Sequence, residues 1–164
     1  MRQLEHHEHR PRPHHGRRVE VALDALKDPL NVGQAFRICA SLGVRHLHLC
    51  AGTPTPPLAK INRTARGAQH ELPWSATEQT LDVVAGFRQS GRVLGVELAT
   101  GSVDVRERAV TGEAVLLVVG NEAHGLAPEL LDACDEVVHL PLYGAISSLN
   151  VATALALAVW EAVR

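Results

Sequence analysis

Cysteine is scarce in this sequence: Cys39, Cys50 and Cys134 are the only three in 164 residues, and no two form a C-x-x-C pair. An odd, scattered set excludes a disulfide framework and a zinc knuckle, and it suits a reducing cytoplasm. Long apolar runs are missing too. No stretch reaches the roughly 20 residues needed to cross a bilayer without a break, and the polar N-terminus does not resemble a signal peptide. The zinc-protease spacing H-E-x-x-H is absent, and no metal ion is expected.

What the sequence does have at its start is charge of one sign. Residues 1–18 hold Arg2, Arg10, Arg12, Arg17 and Arg18 against Glu5 and Glu8, with five of the chain's ten histidines. The whole chain carries a formal net charge of -2, so the rest is acidic on balance. Arginine and histidine broken by Pro11 and Pro13 cannot build a core. Residues 1–18 are therefore expected to form a mobile arm, and residues 19–164 one domain. Each arginine of such an arm can displace counterions from a nucleic acid. A metal-binding histidine tract is the rival reading, and a solvated tail without a role is the plain one.

Beyond the arm, strands and helices alternate. Residues 19–23, 46–50, 92–98, 115–119 and 136–140 read as strands, and residues 69–74 as a further short one. Helices are expected over 30–42 (closed by Gly43), 78–89, 126–133 and 148–163. The Pro-rich "AGTPTPPLAK" reads as a loop. This alternation predicts an α/β fold, a mostly parallel sheet flanked by helices. The last helix, "SLNVATALALAVWEAV", is apolar almost all round, so one side is expected to meet the sheet and another a second subunit. Leu155 and Val159 are expected inside.

The turn "GNEAHGL" (120–126) directly follows the strand of residues 115–119, a place where nucleotides are often held. It is not a dinucleotide fingerprint, because Glu122 stands where the second glycine should be, and it lacks the Gly-Lys-Ser/Thr of a P-loop. "YGAISSLN" lacks the flanking glycines of a hydrolase elbow. Three loops marked by Gly101, Gly120 and Gly144 each follow a strand. In open α/β sheets ligands bind outside the carboxyl ends of the strands. These loops are expected to cradle one compact ligand through backbone groups.

Three segments carry a family resemblance: "DPLNVGQAFRICASLGV" (28–44), "LVVGNEAHGLAPELLDACD" (117–135) and "HLPLYGAISSLNVATALALAVWE" (139–161). In that order they resemble the three motifs of the SpoU (TrmH-like) family of SPOUT RNA methyltransferases, and "RTARGAQHELP" (63–73) resembles its segment after the second strand. The resemblance implies a sheet whose C-terminal part threads into a trefoil knot. It also implies S-adenosylmethionine as methyl donor, a homodimer, and transfer to the ribose 2′-hydroxyl of tRNA or rRNA; of the two, tRNA is the expected substrate.

By the same resemblance Arg37 is the catalytic arginine, and Asn31, Glu122, Ser148 and Asn150 accompany it. A free guanidinium keeps its proton, so Arg37 is read as clamping a phosphate and stabilising the developing alkoxide. Asp28 or Asn31 can equally cap a helix; Ser148 is read as the N-cap of the last one, and Asn150 as a partner for exposed N–H groups of its first turn. Glu122 is expected to orient Arg37 or Asn31, or to accept N–H groups of its own turn. Donor contacts carried over from the family fall on Glu97, Leu98, Gly120, Leu140, Ser148 and Leu149. His70, His124 and His139 are read as ordinary loop or strand-end histidines.

Three alternatives stand beside this reading: a non-catalytic RNA-binding relative of the fold, a base-methylating one, and an unrelated dinucleotide-binding oxidoreductase. The intact motif residues argue against the first, and the missing glycines against the last.

Overall fold

The computed structural model describes residues 15–107 and 113–164. Residues 1–14, most of the expected arm, lie outside that range. In chain order the elements are β1 (Arg18–Asp24), α1 (Pro29–Ser41), β2 (His46–Cys50), α2 (Ala59–Ala65), α3 (Ala68–Glu71), β3 (Trp74–Thr77) and α4 (Thr80–Phe87). They continue with β4 (Arg92–Val96), β5 (Val103–Asp104), β6 (Ala114–Val119), α5 (Pro128–Ala133), β7 (Glu136–His139) and α6 (Val151–Val163). The strands form one sheet in the order β3-β2-β1-β6-β4-β7-β5, and every pairing is parallel.

A parallel sheet covered on both faces selects strands that are apolar at every position. The central strand β6, AVLLVV, is buried throughout. On one face Val19, Val21 and Leu23 of β1 pack with Val32, Phe36 and Cys39 of α1 and with Leu155 and Val159 of α6. On the other, Ala22, Leu116 and Val118 meet Val84 and Phe87 of α4 and Leu130 of α5. The expected α/β architecture is the observed one.

Local chemistry explains the element ends. Asp28 caps α1, its Oδ1 accepting from Leu30 N at 2.9 Å, and Pro29 sits in the first turn, where it has no N–H to lose. Arg18, read as part of the arm, opens β1, its N–H donating to Glu113 O at 2.6 Å. Just before it, the Arg17 guanidinium donates to Ala162 O on α6 at 3.1 Å.

Four expectations need correction. Residues 69–74 are not a strand: α3 occupies 68–71, and β3 starts only at Trp74. The reason lies upstream, where Arg66 and Gly67 both take left-handed backbone (φ 55 and 96), ending α2 and starting a new helical turn. The loop after β2 ends earlier than expected, in α2 at Ala59, and β5 is an additional two-residue strand. The last helix begins at Val151, not 148.

Candidate functional site

Three segments converge at the carboxyl ends of β4, β6 and β7, neighbouring strands in the order β6-β4-β7. They line a cleft of about 420 Å³ with residues 96–98, 119–125, 139–140, 142, 147–149, 151 and 154. Of the three glycine-marked loops only that of Gly120 reaches it through its glycine; Gly101 and Gly144 are not among the lining residues. Glu97, Leu98, Gly120, Leu140, Ser148 and Leu149 all line the cleft.

The turn after β6 is held rigidly. Asn121 and Gly125 exchange backbone hydrogen bonds of 3.1 and 2.9 Å. Asn121 Oδ1 accepts from Ala123 N at 2.9 Å, and its Nδ2 donates to Ala25 O at 2.7 Å. Gly125 has φ +66, and a Cβ there would strike the Glu97 carboxylate. A Cβ on Gly120 would strike the Gly125 backbone. Glycine is required at both places by close approach, and at Gly125 by backbone conformation as well.

Two residues of this cradle carry roles the sequence reading missed. Asn121 is an Asx-type staple of the turn. The side chain of Glu97, expected to matter only through its backbone, accepts from Leu126 N at 3.1 Å and Leu98 N at 3.0 Å. It thereby ties the β4 loop to the β6 loop. Nothing in the local sequence of Glu97 signals a partner 29 residues away.

A polar chain that reaches the cleft through Glu122 links the three motifs. Asn150 Nδ2 donates to Asn31 Oδ1 at 3.0 Å, and Asn31 Nδ2 donates to Glu122 Oε1 at 3.1 Å. Glu122 also accepts from Lys27 N at 2.9 Å and Asp28 N at 3.0 Å. Burial pushes the Glu122 carboxyl upward, but the bonds from Asp28, Lys27 and Asn31 outweigh it and hold the group below its ordinary range. Glu122 is thus an ionised brace for the β1–α1 loop, and it bonds Asn31, not Arg37. Asn31 is buried, with its amide fixed at both ends.

Asn150, not Ser148, caps α6: its Oδ1 accepts from Ala152 N at 2.9 Å and Thr153 N at 3.3 Å. Ser148 stays in the loop facing the cleft. Arg37 does not join this group. It is exposed, two turns along α1 from Asn31, and opens onto a different hollow beside Arg63 and Arg66. The histidines divide as follows. His124 and His139 line the cleft, His139 Nδ1 lying 3.0 Å from Ser102 Oγ, while His70 contacts Gln69 outside it. Among the described residues, no group of three His, Cys, Asp or Glu is placed to hold a metal ion.

Residues 18–160 match the SpoU rRNA Methylase family. The chain is 26% identical over 150 residues to a 23S rRNA (guanosine-2′-O-)-methyltransferase of Vibrio vulnificus, covering 92% of this chain and 60% of that protein. It is 31% identical over 148 residues to the tRNA (guanosine(18)-2′-O)-methyltransferase of Aquifex aeolicus, covering 88% and 68%. An AdoMet-bound rRNA methyltransferase from Sinorhizobium meliloti superposes with a TM-score of 0.83 at 31% identity, covering 88% of this chain and 55% of that one. The chain thus spans about 60% of the length of the first of these relatives. With the match running through nearly all the described residues and all three motif segments, the chain belongs to the SpoU rRNA Methylase family.

Proposed function

We propose that this chain is an S-adenosylmethionine-dependent RNA methyltransferase, acting on a ribose 2′-hydroxyl, and that it works as a homodimer in the cytoplasm. The observation that carries the reading is the Asn150–Asn31–Glu122 chain, which joins the three motifs and reaches the cleft through Glu122. The cleft also suits the donor. Its lining alternates apolar Val96, Leu98, Leu140 and Leu149 with polar Glu97 and Ser148. Glu97, Leu98, Gly120, Leu140, Ser148 and Leu149 would hold it.

When bound, the donor would supply an electrophilic methyl carbon, open to in-line attack by the ribose oxygen as the C–S bond breaks, with S-adenosylhomocysteine leaving as a neutral thioether and the hydroxyl proton passing to water. Positioning is the chain's main contribution. Glu122, kept ionised by three hydrogen bonds, fixes Asn31, and Asn150 fixes the other end of the same amide. Ser148 lines the cleft. Arg37 would clamp the phosphate beside the target ribose and stabilise the developing alkoxide. Because it opens away from the cleft of its own chain, it reaches a reacting ribose only where a second copy carries α1 across. The homodimer is supported by that arrangement and by exposed Leu157 and Trp160 on α6.

Trefoil threading of the C-terminal part belongs to the same proposal, supported by segment 139–151 lying against the ends of β4 and β6. A crystal structure in which residues 140–164 pass outside the loops at 97–107 and 120–125 would refute it. The cytoplasmic placement is supported by three free cysteines and by the absence, among the described residues, of any helix long and apolar enough to cross a membrane; fractionation placing the protein in a membrane or outside the cell would overturn it.

The decisive experiment is labelled-methyl transfer to tRNA, the class the sequence favours, and to 23S rRNA, followed by nucleoside mass spectrometry. A 2′-O-methyl nucleoside in either RNA is the expected product. A base-methylated product, or calorimetry in which NAD binds and S-adenosylhomocysteine does not, would overturn the reading.

A further inference from the structure

The chain holds 18 Asp and Glu against 16 Lys and Arg, yet residues 29–70 contain no carboxylate and five cations: Arg37, Arg45, Lys60, Arg63 and Arg66. Folding gathers three of them. Arg37 and Ser41 of α1, Arg63, Thr64 and Arg66 at the end of α2, and Ala156 of α6 line an open groove of about 570 Å³. All three guanidiniums belong to exposed residues. None forms an ion pair among the described residues, and no acidic residue lines the groove. Three arginines lining one groove with no acidic residue among them make a positive patch that favours an external anion.

Arg66 adds an independent observation. It ends α2 in the left-handed region with φ 55, where glycine or asparagine is the usual occupant because a side chain there is strained. The local backbone disfavours any side chain there, as at Ala25 and Ala51, so backbone conformation does not account for an arginine at this position. The groove has no aromatic lining residue on which a base could stack, so it suits a backbone and not a base edge.

Resting on the RNA methyltransferase reading above, we propose that this groove grips the ribose–phosphate backbone of the RNA substrate. Arg63 and Arg66 take phosphates flanking the one assigned to Arg37. Guanidinium forks match phosphate oxygens bidentately, and the contacts carry no sequence information.

The test is binding of labelled total tRNA and of an unstructured RNA oligonucleotide across a salt series, for wild type, Arg63→Ala, Arg63→Lys and Arg66→Gly. Donor affinity, melting temperature and light scattering are recorded for each. Loss of one phosphate contact should shallow the slope of log K against log[salt] by about 0.7 to 0.9, for both RNAs alike. Arg63→Lys should restore most of that slope. Arg66→Gly is the most telling variant: relieving the left-handed strain should leave the melting temperature equal or higher while RNA binding weakens. Slopes unchanged in both Arg63→Ala and Arg66→Gly would overturn the inference and leave the methyltransferase reading standing. A loss of RNA binding that accompanies monomer formation would overturn it too, assigning the arginines to contacts with carboxylates of a second copy. Failure of wild type to bind either RNA would instead sink the functional reading on which it rests.

Discussion

Asn31 is the residue on which the three motifs meet, and its placement separates two kinds of motif-one residue. Its amide is held by Asn150 and Glu122 within its own chain, whereas Arg37, six positions on, touches neither. Arg37→Ala should therefore leave donor affinity and melting temperature near wild type while methyl transfer falls on the order of 10²- to 10³-fold. Arg37→Lys should recover little, because a point charge does not reproduce a planar fork. Near-normal transfer by the alanine variant would remove Arg37 from the mechanism; joint loss of donor binding would make it a structural residue. The sequence made Asn31, Glu122 and Asn150 visible as motif residues and offered the Glu122–Asn31 and Asn150–helix contacts among its alternatives, but not the Asn150–Asn31 bond or the reach of Glu122 to the β1–α1 loop. Glu122 braces backbone N–H groups 94 and 95 positions earlier in the chain, and Glu97 and Asn121 tie loops together through equally remote partners. Such pairings are properties of tertiary distance, and local pattern cannot carry them.

Among the elements, β6 was legible as a continuous apolar run buried on both faces, and β1 and β2 by the alternation of their residues. The short helices α2 and α3 were not, since seven and four residues are too few for a 3.6-residue period to declare itself. The cap of α6 was misplaced because serine and asparagine cap almost equally well, and only backbone geometry selects Asn150. The strands also hold a polar corner with a measurable consequence. Glu20 on β1 is buried and pairs with His48 of β2 at 2.8 Å and Arg18 at 2.7 Å. Burial raises its carboxyl, but the bonds from His48 and Arg18 prevail and hold it below the ordinary 4.5. A carboxyl lowered by folding contributes stability above its unfolded value and loses it as pH falls through the folded one. Wild type should therefore melt above Glu20→Gln at pH 5, with the gap closing as the pH drops below about 4. Thermal melts of both proteins at stepped pH check this, and a gap constant down to pH 2 would mean that the ion pair contributes nothing.

For the molecule as a whole, two features lie beyond the single described chain: the arginine- and histidine-rich arm and the second copy. We propose the arm as an auxiliary polyanion contact, separate from the domain that begins near Arg18. Deleting residues 2–14 should shallow the salt dependence of RNA binding while light scattering reports the same assembly; an unchanged slope would leave the arm a solvated tail. The second copy is argued from α6. Its inner face, Ala152, Leu155, Ala158, Val159 and Ala162, is buried in the chain's own core, while Leu157 and Trp160 stand 45% and 58% exposed. Two large apolar side chains one turn apart suit a self-complementary contact. Trp160→Glu should convert a dimer to a monomer in light scattering without loss of the folded chain, and with loss of transfer, because Arg37 then has no cleft to reach. The stronger form of the argument uses two defective proteins together. Arg37→Ala keeps an intact cleft but lacks its arginine. Leu98→Trp should fill the cleft from a position 67% exposed, leaving Arg37 in place. Each alone should be nearly inactive. After unfolding and refolding as an equal mixture, about half the dimers should be mixed, each with one complete site, so activity should return to about a quarter of wild type. Were the arginine to serve the cleft of its own chain, each mixed dimer would hold one site defective in its cleft and one in its arginine, and no activity would return.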